Sequence, residues 1–165
     1  MQMLQSITTI TPNGDFHMII DQDSVVRASG FGPLDDLAMR LPDELRGVAI
    51  DTTTDHPYQS HIADYFHGDK TALDRIPRHQ TGTDFQQKVW QAISSVDFGD
   101  IVSYKQLADA SGNPAAIRAA GTICGLNRLI LLVPCHRVLK SDGSIGSYLY
   151  GPQIKESLLR HEGAI

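Results

Sequence analysis

The sequence has little cysteine. Its two copies, Cys124 and Cys135, do not form a Cys-x-x-Cys spacing. A zinc ribbon and a disulfide framework are thereby excluded. Long apolar runs are missing too. None approaches the roughly 18 residues of a spanning helix, so no membrane partner is expected. The opening residues, MQMLQSITTITPNG, lack a basic segment ahead of an apolar core, which argues against a secretory signal. A cytoplasmic location with free thiols is the expectation. No internal repeat or low-complexity tract interrupts the chain.

Acid is scarce in one stretch only. The whole chain carries a net charge of −5, which by itself speaks against nucleic acid. Residues 1–80 hold 6 Lys and Arg against 12 Asp and Glu, whereas residues 81–165 hold 8 against 7. Within 101–141 the cations are Lys105, Arg118, Arg128, Arg137 and Lys140, and the one acid is Asp109. An anionic partner would meet this stretch. A merely mixed surface is the other reading.

What is present is ordinary globular material. Hydrophobic residues make up 41% of the 165 and charged residues 20%. At this length roughly 70% of the unfolded surface can be buried without staples. The first half reads as mixed α/β. Leu4–Ile10 and Phe16–Ile20 are strand-like runs joined by Thr-Pro-Asn-Gly, with Asn13-Gly14 as a hairpin turn. Ser24–Ala28 and Val48–Ile50 are further strand candidates. Pro57–His67 has helical spacing at Ile62, Tyr65 and Phe66, ended by Gly68. Residues 69–82 are polar and contain Pro77 and Gly82, so they separate two lobes. The expected division is an N-terminal α/β domain at 1–76, a linker at 77–82, and a second domain at 83–165.

The second half is mostly helical. Thr83 caps a helix reaching about Ser95. Ser103 caps a short one ending at Ala110. After the turn Ser111-Gly112-Asn113, Pro114 opens a helix to about Gly125. Two short helices across a Gly-containing turn are the pattern of a helix-turn-helix. The apolar run Leu129–Val133 then reads as a buried strand leading to Pro134-Cys135-His136-Arg137.

Cationic neighbours lower a thiol's pKa, and the thiolate is the nucleophile, so Cys135 is either an activated nucleophile or a small buried hydrophobe. Cys124 has the second fate, on the inner face of its helix. An extended 133–137 would point Cys135 and His136 to opposite faces, so a base role for His136 requires a bend or a bridging water. Glu162 is a candidate orienting group for that base, or a solvated helix-end carboxylate.

These residues resemble a known family. The carriers are Gly82-Thr83-Asp84-Phe85-Gln86, Val89-Trp90, Phe98-Gly99, Ser103-Tyr104-Lys105-Gln106-Leu107-Ala108, Gly112-Asn113-Pro114, Arg118-Ala119-Ala120-Gly121, Asn127, Val133-Pro134-Cys135-His136-Arg137-Val138, and Lys155, Leu158-Leu159, Glu162-Gly163. In order and spacing they are similar to the C-terminal domain of O6-alkylguanine-DNA alkyltransferases (methylated-DNA–protein-cysteine methyltransferases). The resemblance implies an α+β fold. A small N-terminal lobe has a short antiparallel sheet, ribonuclease-H-like in the family, and a mostly helical winged helix-turn-helix lobe follows.

It implies single-turnover repair of alkylated double-stranded DNA by a monomer. The alkyl group, chiefly methyl, would leave O6 of guanine, with O4 of thymine as a second target, in a nucleotide flipped from the duplex. Cys135 would accept it, His136 would act as base through a water, and Glu162 would orient His136. Asn127 would hold the turn before the active-site segment. Tyr104 would support flipping and give a proton to the leaving guanine. Arg118 would fill the vacated stack from a helix whose Ala119, Ala120 and Gly121 let it approach the minor groove. Pro134, Val138, Tyr148, Leu149 and Tyr150 would line the substrate pocket, and Arg137 would be structural. No cofactor and no metal are implied. Leu149 and Tyr150 stand where the family has small or polar residues, which implies an altered alkyl pocket.

Two other readings stand beside this one. A non-catalytic helix-turn-helix DNA-binding or damage-sensing module would leave Cys135, His136 and Glu162 idle. A cysteine hydrolase would have no use for Arg118.

Overall fold

The computed structural model describes residues 3–165; Met1 and Gln2, the start of the expected first domain, lie outside the described residues. The chain divides into two compact units. One runs to Gln80 and takes in Arg128–Leu132; the other comprises Thr81–Asn127 and Val133–Ile165.

The first unit is built on a four-stranded sheet with order β3-β2-β1-β4. Strands β1 (Leu4–Thr11), β2 (Gly14–Ile20) and β3 (Val26–Phe31) are antiparallel neighbours, and β4 (Ile50–Thr53) joins β1 in parallel. The first hairpin forms, but its two loop residues are Pro12 and Asn13. Gly14 already opens β2 at φ +96°, a conformation that glycine adopts without strain. Thr11 Oγ1 donates to the Gly14 carbonyl at 2.6 Å and closes the turn.

Two strand expectations shift. β3 runs past Gly30 to Phe31 because Phe16 and Phe31 pair in register with ring centroids 5.1 Å apart. β4 begins at Ile50, since Val48 instead packs with Ile50 against the cluster of Leu4, Ile19, Ala28, Leu37, Leu41 and Leu45. Helix α1 (Leu34–Ala38) supplies Leu37 to that cluster. Helix α2 (Pro57–Phe66) buries Tyr58, Ile62 and Tyr65 and is tied to β1 by Gln59 Nε2, which donates to the Thr8 carbonyl at 2.8 Å.

The apolar run Leu129–Val133 is fully buried but is not a strand. It makes one parallel bridge, Ser29 with Leu129. Ser29 N donates to the Arg128 carbonyl at 2.9 Å and Ser29 Oγ to the Ile130 carbonyl at 2.7 Å. The ladder then stops because Leu131 adopts φ +72°, a left-handed conformation that turns the chain. The Arg78 guanidinium caps the carbonyls of Leu132 and Leu73. Hydrophobicity read correctly as burial; the backbone groups found partners other than a strand.

The second unit contains helices α3 (Asp84–Ser94), α4 (Tyr104–Ala110), α5 (Ile117–Gly125) and α6 (Pro152–His161). A small parallel pair, β5 (Val102–Ser103) with β6 (Val138–Leu139), accompanies them. Capping boxes start α3 and α4: Thr83 with Gln86 and Ser103 with Gln106 exchange side-chain and backbone bonds. Gly82 is compelled by space, because a Cβ there would lie 2.6 Å from the Trp90 ring. Trp90 Nε1 donates to the Ile123 carbonyl at 3.3 Å, joining α3 to α5. Helix α5 begins at Ile117 and not at Pro114. Ala116 N bonds the Asn113 carbonyl at 3.0 Å, so 113–116 is a turn ahead of the helix. Among the described residues no helix is long and apolar enough to cross a membrane.

Candidate active site

The site gathers inside the second unit, around a short 3-10 turn at Cys135–Arg137. The turn supplies the bend that an extended chain would lack. It follows Pro134, whose ring fixes φ at −80°, and Cys135 N bonds the Val133 carbonyl at 2.8 Å. Asn127, fully buried after α5, donates from Nδ2 to the same Val133 carbonyl at 2.8 Å. Asn127 thus holds the two ends of the 128–132 excursion at a fixed spacing.

His136 and Arg137 converge on one carboxylate. His136 Nε2 lies 2.9 Å from Glu162 Oε2. Arg137 donates from Nε to Oε1 at 2.8 Å, from Nη2 to Oε2 at 2.9 Å, and from Nη1 to the Val96 carbonyl at 2.6 Å. All three residues are buried, so Glu162 is not a solvated helix-end group. Gly99 lets the chain pass close: a Cβ there would meet the Glu162 carbonyl at 3.3 Å, and its φ is +91°.

The charges follow from this wiring. Burial alone would raise the Glu162 pKa, but the bonds from His136 and Arg137 and their charges hold it well below the usual carboxylate range. Burial pushes His136 down, against the pull of Glu162, so the imidazole is neutral at pH 7. An anionic acceptor at Nε2 places the single proton there. Nδ1 is then the basic atom; it is buried and has no hydrogen-bond partner among the described residues.

Cys135 is 6% exposed. A hydrogen bond from Cys124 lowers its pKa, burial opposes this, and Asn127 and the charge of Lys155 lower it further. Lys155, which carries part of the family resemblance but had no role expected of it, is fully buried on α6. Its Nζ donates to the Val138 carbonyl at 2.7 Å and to the Ser147 carbonyl at 3.3 Å. The available signal was its spacing: Lys155 shares the inner face with Leu158 and Leu159. Tyr104, half-buried at the start of α4, has its pKa pushed up to about 12 by burial and by the Cys124 and Cys135 thiols, so it keeps its proton.

A pocket of about 630 Å³ opens beside this cluster, lined by Tyr104, Ile117, Arg118, Gly121, Thr122, Lys140 and Ser147. Gly121 belongs there because a Cβ would already touch the Tyr104 ring at 3.6 Å. Arg118 and Ala119 are exposed on α5. Ala120 is not: it is 0% exposed, on the helix face turned to the core, so the expectation that it meets DNA is corrected. Of the expected pocket residues, Pro134 and Val138 flank the cysteine turn and are buried, and like Tyr148, Leu149 and Tyr150 they do not line this pocket. Leu149 is 48% exposed, and Tyr148 meets Tyr150 edge-on at 6.1 Å.

The basic stretch also resolves into parts. Arg137 is spent inside on Glu162, and Arg128 donates from Nε to the Arg40 carbonyl at 2.9 Å. Lys105, Arg118 and Lys140 remain as its exposed cations.

The chain is 34% identical over 157 residues to the methylated-DNA–protein-cysteine methyltransferase of Shigella flexneri, covering 93% of this chain and 92% of that one. It belongs to the methylated-DNA–protein-cysteine methyltransferase family. The family model for the 6-O-methylguanine DNA methyltransferase, DNA binding domain, matches residues 84–164. The enzyme of the same name from Salmonella typhimurium is 44% identical over 102 residues, 62% of this chain, and that match spans 60% of the relative's length. Among solved structures, Mycobacterium tuberculosis OGT in complex with DNA superposes with a TM-score of 0.74 at 26% identity, over 98% of this chain and 92% of that one. The alkyltransferase resemblance drawn from the motifs therefore holds, and so does the mixed α/β class with an antiparallel-rich sheet.

Proposed function

We propose that this protein repairs alkylated double-stranded DNA by moving an alkyl group, chiefly methyl, from O6 of guanine onto Cys135 in one irreversible turnover. O4 of thymine is a second target in this reading. The carrying observation is the buried His136, held by Glu162 at 2.9 Å, in the same short turn as the Cys135 thiol. Membership of the family and the DNA-bound Mycobacterium tuberculosis structure support it.

Each residue has a role in the transfer. His136 Nδ1 takes the Cys135 proton through a water. The thiolate attacks the alkyl carbon, the carbon–oxygen bond breaks, and its electron pair stays on guanine. Tyr104, which its raised pKa keeps protonated until then, gives a proton to the departing base. Lys155 stabilises the thiolate before attack. A thioether has no leaving group to return, so the protein is spent. Asn127 holds the turn, and Arg137 fixes Glu162.

Extrusion of the nucleotide is required because the target atom lies inside a stacked pair. The pocket beside Tyr104 receives it, and Arg118 enters the stack. The exposed face of α5, with Ala119 and Gly121, permits close approach to the minor groove. In this reading α4 and α5 form the helix-turn-helix of a winged domain at 83–165. The linker is 77–82, the first domain (1–76) is ribonuclease-H-like, and the monomer acts in the cytoplasm.

Mass analysis tests the proposal. After incubation with duplex DNA containing O6-methylguanine, the protein should gain one methyl group, on Cys135, and then stop. A gain at another residue, or repeated turnover, contradicts it.

A further inference from the structure

Periodicity and exposure disagree at Ile117. It stands three residues before Ala120 and seven before Cys124, both buried, so helical spacing puts it on the core stripe of α5. Yet it is 39% exposed. It is the first residue of α5, and there the stripe ends at the pocket instead of under other elements. Among the residues lining that pocket, Ile117 is the one with an aliphatic side chain. Single exposed apolar residues are common and by themselves mean little. This one is set apart by its neighbours. Residues 115–121 read Ala-Ala-Ile-Arg-Ala-Ala-Gly. Ile117 and Arg118 are the two side chains in that stretch longer than a methyl group, and they are adjacent and both exposed.

We propose that Ile117 is an apolar wedge that works beside Arg118. As α5 enters the minor groove, the Ile117 side chain presses into the base step next to the target and loosens the stack, and Arg118 fills the gap that extrusion leaves. The inference rests on the alkyl-transfer reading, with α5 as the helix that meets DNA. Side chains that unstack a base step from the minor groove are characteristically apolar, Ile among them. An aliphatic group gains by leaving water, whereas a guanidinium entering a closed stack gives up hydration before new partners are in place. A wedge must also be stiff, and a β-branched side chain in a helix is held to essentially one χ1 rotamer. Gly121 lies one turn further along the same face, where a Cβ would already touch the Tyr104 ring at 3.6 Å. Its bare backbone keeps the way from Ile117 into the pocket open.

Single-turnover rates of wild type, Ile117→Ala and Ile117→Leu test the inference on three substrates. These are O6-methylguanine in duplex DNA, the same lesion in a single strand, and the free base O6-benzylguanine. Ile117→Ala should slow the duplex reaction about tenfold more than either of the others, because the duplex alone has a paired stack to open. Ile117→Leu keeps the aliphatic bulk and should stay within about twofold of wild type on the duplex. The salt dependence of duplex binding should be the same in all three proteins, since no phosphate contact is lost. Equal slowing by Ile117→Ala on all three substrates would make Ile117 a wall of the pocket, and a full duplex rate would make it a bystander. Either result overturns the inference while alkyl transfer stands. Failure of wild type on all three substrates would overturn the alkyl-transfer reading itself, and the wedge with it.

Discussion

His136 and Glu162 are joined by a single buried bond of 2.9 Å, and that bond decides which imidazole nitrogen can act as a base. The carboxylate binds the Nε2 proton, and Nδ1 is left with its lone pair. Arg137 occupies the rest of the same carboxylate, so Glu162 is both a tautomer setter and the counter-charge of a buried guanidinium.

Glu162→Gln removes that counter-charge while keeping the shape. Breaking one side of a buried ion pair costs about 3–5 kcal/mol. Urea denaturation should show a loss of that order, and transfer by the remaining folded protein should slow because the His136 tautomer is no longer fixed. A variant as stable as wild type would show that Arg137 is solvated in solution.

Acid should weaken the fold in two steps. His136 has a folded pKa below its usual 6.5, so the unfolded chain binds the proton first and stability falls as pH drops below about 6.5. Glu162 is also held low; its contribution is complete above the usual carboxylate range and is lost as pH falls through and below that range. Thermal melts between pH 8 and pH 3 measure both. His136→Asn should lack the first step, and an unchanged first step would assign it to another histidine.

Tyr104→Phe removes a proton donor without changing the ring that packs on Gly121. Transfer should slow by about 100-fold with little change in stability. Rapid-quench measurement with O6-methylguanine DNA decides the point, and a full-rate Phe variant would exclude Tyr104 as the acid.

Arg118→Ala should lower transfer from duplex DNA more than transfer from the free base O6-benzylguanine. Lys140→Ala, at another residue of the pocket lining, should flatten the salt dependence of DNA binding by about one unit of slope. Equal loss on duplex and free base would count against stack filling by Arg118.

Tyr150 packs edge-on against Tyr148, outside the pocket lining, so Tyr150→Gly should leave the ratio of benzyl to methyl transfer as in wild type; a changed ratio would bring this segment into the pocket. Leu149 is half-exposed and also outside that lining, so its replacement should leave the ratio unchanged as well.

The sequence made much of this legible where side-chain chemistry is local. Thr83 and Ser103 announced their helices because each cap is complete within four residues. Asn13 and Gly14 announced the hairpin for the same reason. Leu129–Val133 misled because five apolar residues report burial and say nothing of backbone partners; Ser29, 101 residues from Ile130, supplies one of them. Pro114 misled because the Asn113 carbonyl closes a turn before the helix can start. In the site, Cys135, His136 and Glu162 were legible through the family resemblance, while the residues by themselves left their roles open. Lys155 carried the resemblance too, but its burial was not legible, since nothing local distinguishes a buried ammonium from a solvated one. Ala120 failed as a surface residue because α5 turns only part of its small-residue stripe outward.

The central claim is that Cys135 accepts one alkyl group and is consumed. Intact-mass analysis of wild type and Cys135→Ala after incubation with excess O6-methylguanine duplex tests it most directly. Wild type should gain the mass of one methyl group and no more, with an equal amount of guanine restored in the DNA, and Cys135→Ala should gain nothing. Methyl gain by Cys135→Ala, or more than one guanine restored per protein molecule, would contradict the account.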